Sequence, residues 1–582
     1  MRTVLTTLNA KYIHTSLAIR YLHAATAELA PDVQIREYNI NQHVEDIAAD
    51  LFRAKAEVIG FACYIWNITE TLHVAGILKK VQPDLIIILG GPEVSYDPGT
   101  LLADNPQLDY IISGEGEAVF RDVLAMLKNK GELAGIAGLA YRQGGATVVN
   151  EARVQIADLD VIPWPYGDLD SVKDKIIYYE CSRGCPFQCQ YCLSSTFTGV
   201  RFFSLQRVKR DLQRLVEAGV KQVKFVDRTF NCNRDYALDI FCYLAAQNGP
   251  TNFHFEIAAD LLDDETLDFL ATVPSGKFQF EIGVQSTYQP TLELIRRNTN
   301  WDKLCHVVTR LTRVGNIHLH LDLIAGLPGE SYRQFGQSFN DVFALRPGRL
   351  QLGFLKLLKG SGVRLRAQEF AYLFADFPPY EVLGNCKISY EELLNLRQIE
   401  DLLEKYANSH HFDAALNYLI TNHVSSPFAF FEAFAAFWQA KGYHLTAHRL
   451  KELYRILAEY YDTNSLPDKA VFLELLKFDY LRQERSLQLP EVFLKYEVSD
   501  YQERFYNFLK NPANVVSYLP EYVTLSAREI SKRVLIETFR YDVIQLLATP
   551  QMLAVETPTT LLLQYERRDP IYNQAGFVKI EI

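Results

Sequence analysis

The chain is poor in cysteine, with nine in 582 residues. So few thiols exclude a disulfide-stapled secreted framework, and cytosolic cysteines are free thiols. There is no basic block. The net charge is -11 and the pI is near 5.7, so the bulk field argues against general nucleic-acid binding and leaves room only for a local basic patch. No window approaches the ~18 uninterrupted apolar residues of a membrane span. The most apolar stretch, PFAFFEAFAAFW from Pro427 to Trp438, is short and contains Glu432, which predicts a core helix and no membrane contact. The N-terminal stretch MRTVLTTLNAKYIHTSLAIRYL has its apolar run broken by polar residues, with no small-residue cleavage site after it. No signal peptide is expected, and the localisation read from these absences is cytoplasmic. Glycine almost disappears after Gly384, where only Gly442 and Gly576 follow. What is present is ordinary for a soluble globular protein, 48% hydrophobic and 22% charged, in a chain long enough for two to four domains.

The first segment alternates strands and helices. Strands are expected at Val4–Asn9, Val58–Ile65, Leu85–Pro92 and Tyr110–Glu117, with helices over Ser16–Ala30, Thr69–Val81 and Ala118–Lys130. Buried apolar strands followed by helices mean a doubly wound parallel sheet of Rossmann-like form. Ligands sit at the carboxyl ends of such strands. There the glycine-rich turns Gly90-Gly91-Pro92 and Gly114-Glu115-Gly116 fall. The Pro- and Asp-punctuated stretch Gln155–Tyr166 reads as a linker. A second array follows, with strands at Ile176–Cys181, Gln222–Asp227, Phe253–Ala258, Phe278–Gln285, His318–Gly326 and Leu350–Leu358. Helices such as Leu205–Ala218, Asp235–Gln247 and Tyr332–Leu345 fit between them. Six units are too few for the ~250 residues of an eight-unit barrel and suit a partial (β/α)6 TIM barrel. From about Glu381 helical patterns dominate, as in Tyr390–Tyr406 and Thr446–Tyr461, and the end of the chain, TTLLLQYERRDPIYNQAGFVKIEI, alternates like a hairpin. The expected domains are residues 1–150, a linker over 151–170, residues 171–380, and a mostly helical domain over 381–582.

Four of the nine cysteines lie in CSRGCPFQCQYC, residues 181–192. A zinc site wants four ligands, usually as two separated pairs, and would need Cys181 or a distant residue to complete it. A redox pair would use Cys189 and Cys192 and leave Cys185 surplus. An iron–sulfur cluster on Cys185, Cys189 and Cys192, spaced C-x3-C-x2-C, would have one iron open, because a 4Fe-4S cube normally takes four thiolates. These cysteines follow the first strand of the second array, with Tyr191 just before the last of them.

That combination resembles the radical S-adenosylmethionine (SAM) superfamily, in which the open iron chelates the amino and carboxylate groups of SAM. Later strand ends are similar to the rest of its fingerprint: FVDRTF (Phe225–Phe230), FEIAAD (Phe255–Asp260), FEIGVQS (Phe280–Ser286) and DLIAGLPGE (Asp322–Glu330). The resemblance implies SAM contacts at Tyr191, Asp227, Arg228, Glu256, Gln285, Ser286, Arg297 and Asp322. Carboxylates and an amide suit a ribose diol, and Arg suits a carboxylate. Arg297 falls in LELIRRNT, read as a helical stretch beside Arg296. The resemblance makes Cys181 a strand residue; Cys63, Cys232, Cys242, Cys305 and Cys386 are scattered, with burial their default.

A parallel-sheet domain ahead of such an array resembles the cobalamin-binding radical SAM class. GGPEVS (Gly90–Ser95) and SGEGE (Ser113–Glu117) carry that likeness. It implies cobalamin contacts at Asn9, Cys63, Tyr64, Gly90, Gly91, Pro92, Glu93, Val94, Gly114, Glu115, Gly116 and Glu117. The D-x-H-x-x-G signature of histidine-ligated cobalamin is missing from LNAKYIHTS, and TLHVAG (Thr71–Gly76) falls within a helix. Cobalt would be held without histidine, and His14 reads as a satisfied loop residue. The helical C-terminal domain is similar to an uncharacterised domain appended to some members.

The implied activity is cobalamin-dependent radical SAM methylation of an unactivated carbon, using a 4Fe-4S cluster, SAM and methylcobalamin. An electron donor such as flavodoxin or ferredoxin would serve it, and the substrate is a small molecule, peptide or RNA. Rearrangement, ring formation or methylthiolation without net methyl transfer is the alternative enzyme reading. A non-catalytic cobalamin or iron–sulfur sensor is the rival from another class, and SAM cleavage separates it from the enzymes.

Overall fold

Every residue of Thr3–Asn9 and Val58–Ala62 is buried, Thr3, Thr6 and Thr7 included. That is the setting of central strands in a sheet covered on both faces. In the computed structural model, which describes every residue except 130, 197, 198, 494, 497, 498 and 582, these are β1 and β3 of a seven-stranded sheet. Its other strands are β2 (Gln34–Asn39), β4 (Ile86–Gly90), β5 (Tyr110–Ile112), β6 (Leu139–Gln143) and β7 (Ala146–Val149). The order is β2-β1-β3-β4-β5-β6-β7, with β1 to β5 parallel. Helices Val44–Arg53 and Ile68–Val81 cover one face through Ile47, Leu51, Val74 and Leu78. Helices Leu17–Thr26 and Gly116–Asn129 cover the other through Ile19, Phe120, Val123 and Leu124. The winding reverses between β1 and β3, so their carboxyl ends border the crevice where such sheets take ligands.

The sheet differs from expectation in three places. β2 is half-exposed along most of its length, and QIREYN carries no apolar run to betray it. β6 and β7 run antiparallel, joined by Gly144 and Gly145 with φ of 60° and 86°, the conformation of a type I′ hairpin turn. The strand expected to reach Glu117 stops at Ile112, because Gly114 turns with φ 81° and the next helix begins at Gly116. Lys130, the expected end of that helix, lies outside the described residues.

The second sheet holds six strands in the order β15-β14-β13-β12-β11-β8. They are β8 (Ile176–Tyr179), β11 (Gln222–Phe225), β12 (Asn252–Ile257), β13 (Phe278–Gln285), β14 (His318–Ala325) and β15 (Arg349–Phe354), and the pairs from β8 to β14 are parallel. A short hairpin, β9 (Ser182–Gly184) with β10 (Val200–Phe202), interrupts the array. β13 alternates strictly. Phe278, Phe280, Ile282 and Val284 are buried, while Gln279, Glu281, Gly283 and Gln285 lie on the other face. The first face joins an aromatic core in which Phe225 stacks on Phe255 at 4.5 Å; the second is polar, and it carries the residues of interest. β16 (Leu373–Phe374) and β17 (Val382–Gly384) form a small antiparallel pair. Apart from the first four residues of β15, all of these strands lie in one compact unit, Met1–Ser331 with Gly353–Ser389.

The second unit is Tyr332–Leu352 with Tyr390–Ile582. It is mainly helical. Pro427–Ala440 is a core helix, as its sequence suggested, with Phe430, Phe431 and Phe434 buried. The terminal hairpin is present as β19 (Glu556–Arg568) and β20 (Ala575–Ile580), but an unforeseen β18 (Val534–Tyr541) makes it a three-stranded antiparallel sheet. The helix Lys469–Gln483 is buried from Val471 to Leu481, and Lys477 within it pairs with Glu474 at 2.9 Å and Glu537 at 3.4 Å. No helix among the described residues is long and apolar enough to cross a membrane.

Candidate functional site

The three spaced cysteines occupy the loop closed by β9 and β10. Gly184 has φ 105°, and a Cβ there would stand 2.1 Å from the Gly199 carbonyl oxygen, so only glycine lets the hairpin close. Inside the loop Cys192 N–H donates to Cys189 O at 3.1 Å, and Ser194 N–H points at Cys192 Sγ at 3.4 Å. Gln190 is clamped from two sides, donating to Ile295 O and accepting from Val363 N, both at 2.9 Å. Cys185 and Cys192 are half-buried and Cys189 is buried. Cys181 is fully buried, its N–H bonds Asp227, and burial pushes its thiol well up. It is a core residue apart from the loop. Among the described residues no three His, Cys, Asp or Glu side chains converge on a single metal ion. A cubane does not require that, since each thiolate binds a different iron. Sequence reasoning missed Thr229, whose hydroxyl lies 3.6 Å from Cys185 Sγ.

Beside the loop, the polar face of β13 and β14 brings Gln285, Arg297 and Asp322 together around Gly283. Gly283 pairs with Asp322 across the strands, and a bulge follows, so that Gln285 stands opposite Leu323. Gln285 has φ 72°, a conformation that costs a non-glycine residue about 1–3 kcal/mol and clusters at functional sites. A Cβ on Gly283 would meet Gln285 Nε2 at 2.2 Å, and Gly283 O accepts from Arg297 Nη2. Arg297 Nη1 donates to Tyr191 OH at 3.2 Å and lies 3.8 Å from Cys189 Sγ. It thus ties the strand ends to the cysteine loop. Gln285 Oε1, Arg297 Nε and Asp322 Oδ1 are buried with no hydrogen-bond partner among the described residues. Burial, reinforced by Glu281 and Glu256, pushes Asp322 up to about 8. Just beneath, burial works against Glu281, yet hydrogen bonds from His254 and Lys224 at 2.9 and 3.0 Å hold it down at about 2.

Arg297 is not helical. The helix stops at Leu294, Arg296 takes φ 52°, and Arg297 N–H returns to Leu292 O at 2.8 Å while Arg296 N–H reaches Glu293 O at 3.1 Å. This is a Schellman cap with arginine at the left-handed position where glycine is usual. The cap turns Arg297 inward and leaves Arg296 exposed.

The other expected SAM contacts are placed differently. Asp227 is buried, bonds Cys181 N–H and Ser182 Oγ, and is pushed by burial to about 7; it fastens the entry to β9. Ser286 donates to Glu330 at 2.5 Å. Arg228 is exposed, 4.0 Å from Glu256, whose carboxyl burial pushes up.

At the crevice of the first sheet, Asn9 caps β1 by donating to His14 O at 3.1 Å. Cys63 is fully buried behind Gly91, where a Cβ would meet Cys63 O at 2.5 Å. Tyr64 stacks on half-exposed Trp66 at 4.4 Å, a platform the sequence did not announce. Gly90, Gly91 and Pro92 form the turn after β4, and Val94 is buried beneath it. A Cβ on Gly114 would meet nothing, whereas one on Gly116 would press on Leu22 at 3.2 Å. The acids are engaged. Glu93 accepts from Tyr380 OH at 2.6 Å and pairs with Lys359 at 3.1 Å, and Glu115 and Glu117 pair with Arg201 and Arg183 at 2.6 and 2.5 Å. His14 is satisfied by Tyr178 OH at 2.7 Å, and His73 lies in helix Ile68–Val81.

With this geometry in hand, the chain can be compared with known proteins. Three family models match it: the B12 binding domain over residues 3–124, the radical SAM superfamily over 179–342, and the protein of unknown function DUF4080 over 368–561. An uncharacterized methyltransferase of Pyrococcus horikoshii is 27% identical over 49% of this chain and 64% of its own length. The cobalamin-dependent radical SAM methyltransferase TokK of Streptomyces tokunonensis is 27% identical over 48% of this chain and 44% of its own. The chain therefore spans only part of these relatives. Among solved structures, the cobalamin-dependent SAM radical enzyme OxsB with aqua-cobalamin bound superposes with a TM-score of 0.59 at 15% identity, over 82% of this chain and 79% of that one. TsrM of Kitasatospora setae, a radical SAM methyltransferase with cobalamin and a 4Fe-4S cluster bound, gives 0.54 at 16% identity over 65% and 82%; at such identities the likeness concerns the fold. Strand-end glycines around a switch-point crevice, a C-x3-C-x2-C loop beside polar atoms unpartnered among the described residues, and three consecutive family models point the same way: segment by segment, the chain is similar to a B12 binding domain, the radical SAM superfamily and DUF4080.

Proposed function

We propose that the protein is a cobalamin-dependent radical SAM methyltransferase acting on an unactivated carbon. The observation that carries this reading is the trio Gln285 Oε1, Arg297 Nε and Asp322 Oδ1. These atoms are buried without hydrogen-bond partners among the described residues, and Arg297 also touches the loop of Cys185, Cys189 and Cys192. A polar atom left unmade in a protein interior costs about 1–3 kcal/mol, a cost a polar ligand would remove. The second sheet would close as a partial (β/α)6 TIM barrel, and the domains would divide at residues 1–150, 171–380 and 381–582 with a linker over 151–170.

In this reading Cys185, Cys189 and Cys192 hold the 4Fe-4S cluster. Arg297 and Gln285 bind and orient SAM, with Glu256 and Asp322 facing its cationic and hydroxyl groups. Tyr191 supports Arg297. Asn9, Tyr64, Gly90, Gly91 and Gly114 border the space for cobalamin, where an open backbone lets a bulky ligand approach. When bound, the cluster, SAM and cobalamin supply the one-electron and methyl-carrying chemistry. Asp322, pushed up to about 8 by burial, would give up its proton as the cationic groups of SAM arrive. The work takes place in the cytoplasm with a flavodoxin- or ferredoxin-type donor, on a small-molecule, peptide or RNA substrate.

The test is anaerobic reconstitution with and without cobalamin, an assay for SAM cleavage, and mass spectrometry of cell extracts for a SAM-dependent gain of one methyl group. A cobalamin-dependent methyl gain supports the proposal. SAM cleavage with no mass gain would favour ring formation, a reading suggested by 27% identity over 38% of this chain to the anaerobic magnesium-protoporphyrin IX monomethyl ester cyclase of a Synechocystis strain. Intact SAM after reduction would leave a sensor.

A further inference from the structure

The base of the cysteine loop contains an electrostatic conflict. Arg183 on β9 and Arg201 on β10 are direct cross-strand partners, and like charges so placed destabilise a strand pair. Their side chains are only 14% and 21% exposed, so water does little to relieve them. The two strands have three residues each, too few to stay paired alone. The counter-charges come largely from outside the loop. Glu115 Oε1 accepts from Arg201 Nη2 at 2.6 Å and lies 3.4 Å from Arg183 Nη1. Glu117 Oε1 accepts from Arg183 Nη2 at 2.5 Å, and Glu180 accepts from Arg183 Nε at 3.0 Å. The segment between the domains joins in. Ile156 N–H donates to Glu115 Oε2 at 2.7 Å, and Ile156 O accepts from Arg201 Nη1 at 2.5 Å. The Gly-Glu-Gly-Glu turn of the B12-binding domain is thus built into the foot of the loop.

We propose that Glu115 and Glu117 are positioning residues for the cluster. They hold β9 and β10 together by neutralising the facing Arg183 and Arg201, so the loop of Cys185, Cys189 and Cys192 keeps its cluster while the B12-binding domain meets those charges. This rests on the reading that those cysteines carry the cluster. It assigns the two acids a joint between domains rather than a direct contact with cobalamin, and the two roles predict opposite losses.

Full-length wild type, the variant Glu115→Gln/Glu117→Gln, and the same variant with Arg201→Gln added are reconstituted anaerobically with iron, sulfide and hydroxocobalamin. Iron per chain, the electron paramagnetic resonance spectrum of the reduced cluster and cobalamin absorbance after gel filtration are measured, with circular dichroism melting alongside. Wild type should hold about four irons. The double variant should lose at least about half of its iron, or show an altered spectrum, while retaining cobalamin. Adding Arg201→Gln removes the facing charge, leaves the Arg183–Glu180 pair intact and should restore the iron, which a variant that had merely misfolded would not do. Full iron with an unchanged spectrum in the double variant, loss of cobalamin with iron intact, or failure of the third variant to recover would each overturn the proposal. A wild type that takes up no cluster would instead sink the reading of the cysteines, and this inference with it.

Discussion

Two sets of strand-end residues look alike in the sequence and are used differently. After β4 and β5, Glu93 and Glu115 sit in glycine-rich turns and Glu117 opens the helix that follows, and each carboxylate has a protein cation or hydroxyl within 3.1 Å. Along β13 and β14, Gln285 ends one strand and Asp322 lies within the other, yet each keeps a buried oxygen with no partner among the described residues. Buried polar groups are nearly always paired. A strand-end motif therefore marks an edge worth inspecting, while the accounting of its hydrogen bonds separates a joint from a receptacle. The acids of the first sheet are already spent on the β9/β10 hairpin and on Tyr380 and Lys359, and the polar atoms of the second sheet are still to be used.

The most severe way to break this contrast is at the loop both regions adjoin. Cys185→Ala, Cys189→Ala and Cys192→Ala should each abolish the cluster, about four irons per chain by colorimetric assay, whereas Cys181→Ala should keep it. Equal loss with Cys181→Ala would mean a four-thiolate site without an open iron. Next comes Arg297→Ala, expected to weaken SAM binding about ten- to hundredfold, or about 1.5–3 kcal/mol, as a lost charge-assisted bond would. Arg296→Ala should leave affinity unchanged in the same titration.

A smaller effect concerns Asp322. Its folded value of about 8 lies above the ordinary ~3.9, so the penalised form is the carboxylate. Stability should be greatest below about pH 4, fall as pH rises towards 8, and level off beyond. Asp322→Asn should flatten melting temperature over that window. In the wild type, SAM binding near pH 7 should release a proton, seen as a buffer-dependent heat in titration calorimetry, and the Asn variant should show none. The smallest effect is Arg296→Gly. Relief of the left-handed cap is worth roughly 1–2 kcal/mol, but glycine's extra freedom in the unfolded chain gives back about 0.5–1. A gain of at most about 1.5 kcal/mol is expected in chemical denaturation, with SAM affinity intact.

Much of this architecture was legible from the sequence. The period of two in FQFEIGVQ and HLHLDLIA placed β13 and β14 within a residue or so, because one face is aliphatic and aromatic and the other polar. Spacing alone singled out the cysteine loop. What escaped was tertiary. β2 has no buried face to write an apolar period, and β9 with β10 is stabilised by charges from 66 residues or more away, in Glu117 and Glu115. Arg297 was placed in a helix because LELIRRNT has good helix formers; the Schellman cap that ends the helix uses an arginine where the usual glycine signal is absent. The role of the Gly-Glu-Gly-Glu acids depended on partners that no local pattern names.

The bulge in β13 has a consequence for comparison across relatives. From Gln279 to Gly283, each residue of β13 has one partner in β14, and Gln279 faces His318 as Glu281 faces His320; beyond it the ladder skips a residue and Gln285 meets Leu323. A relative without the bulge would reach the same point in space with one residue fewer. Aligned without a gap, its amide would be matched to Val284 and every later position in the loop would be out of step, although the two backbones coincide. For this strand the proper coordinate is therefore the rung on β14, not the running residue count.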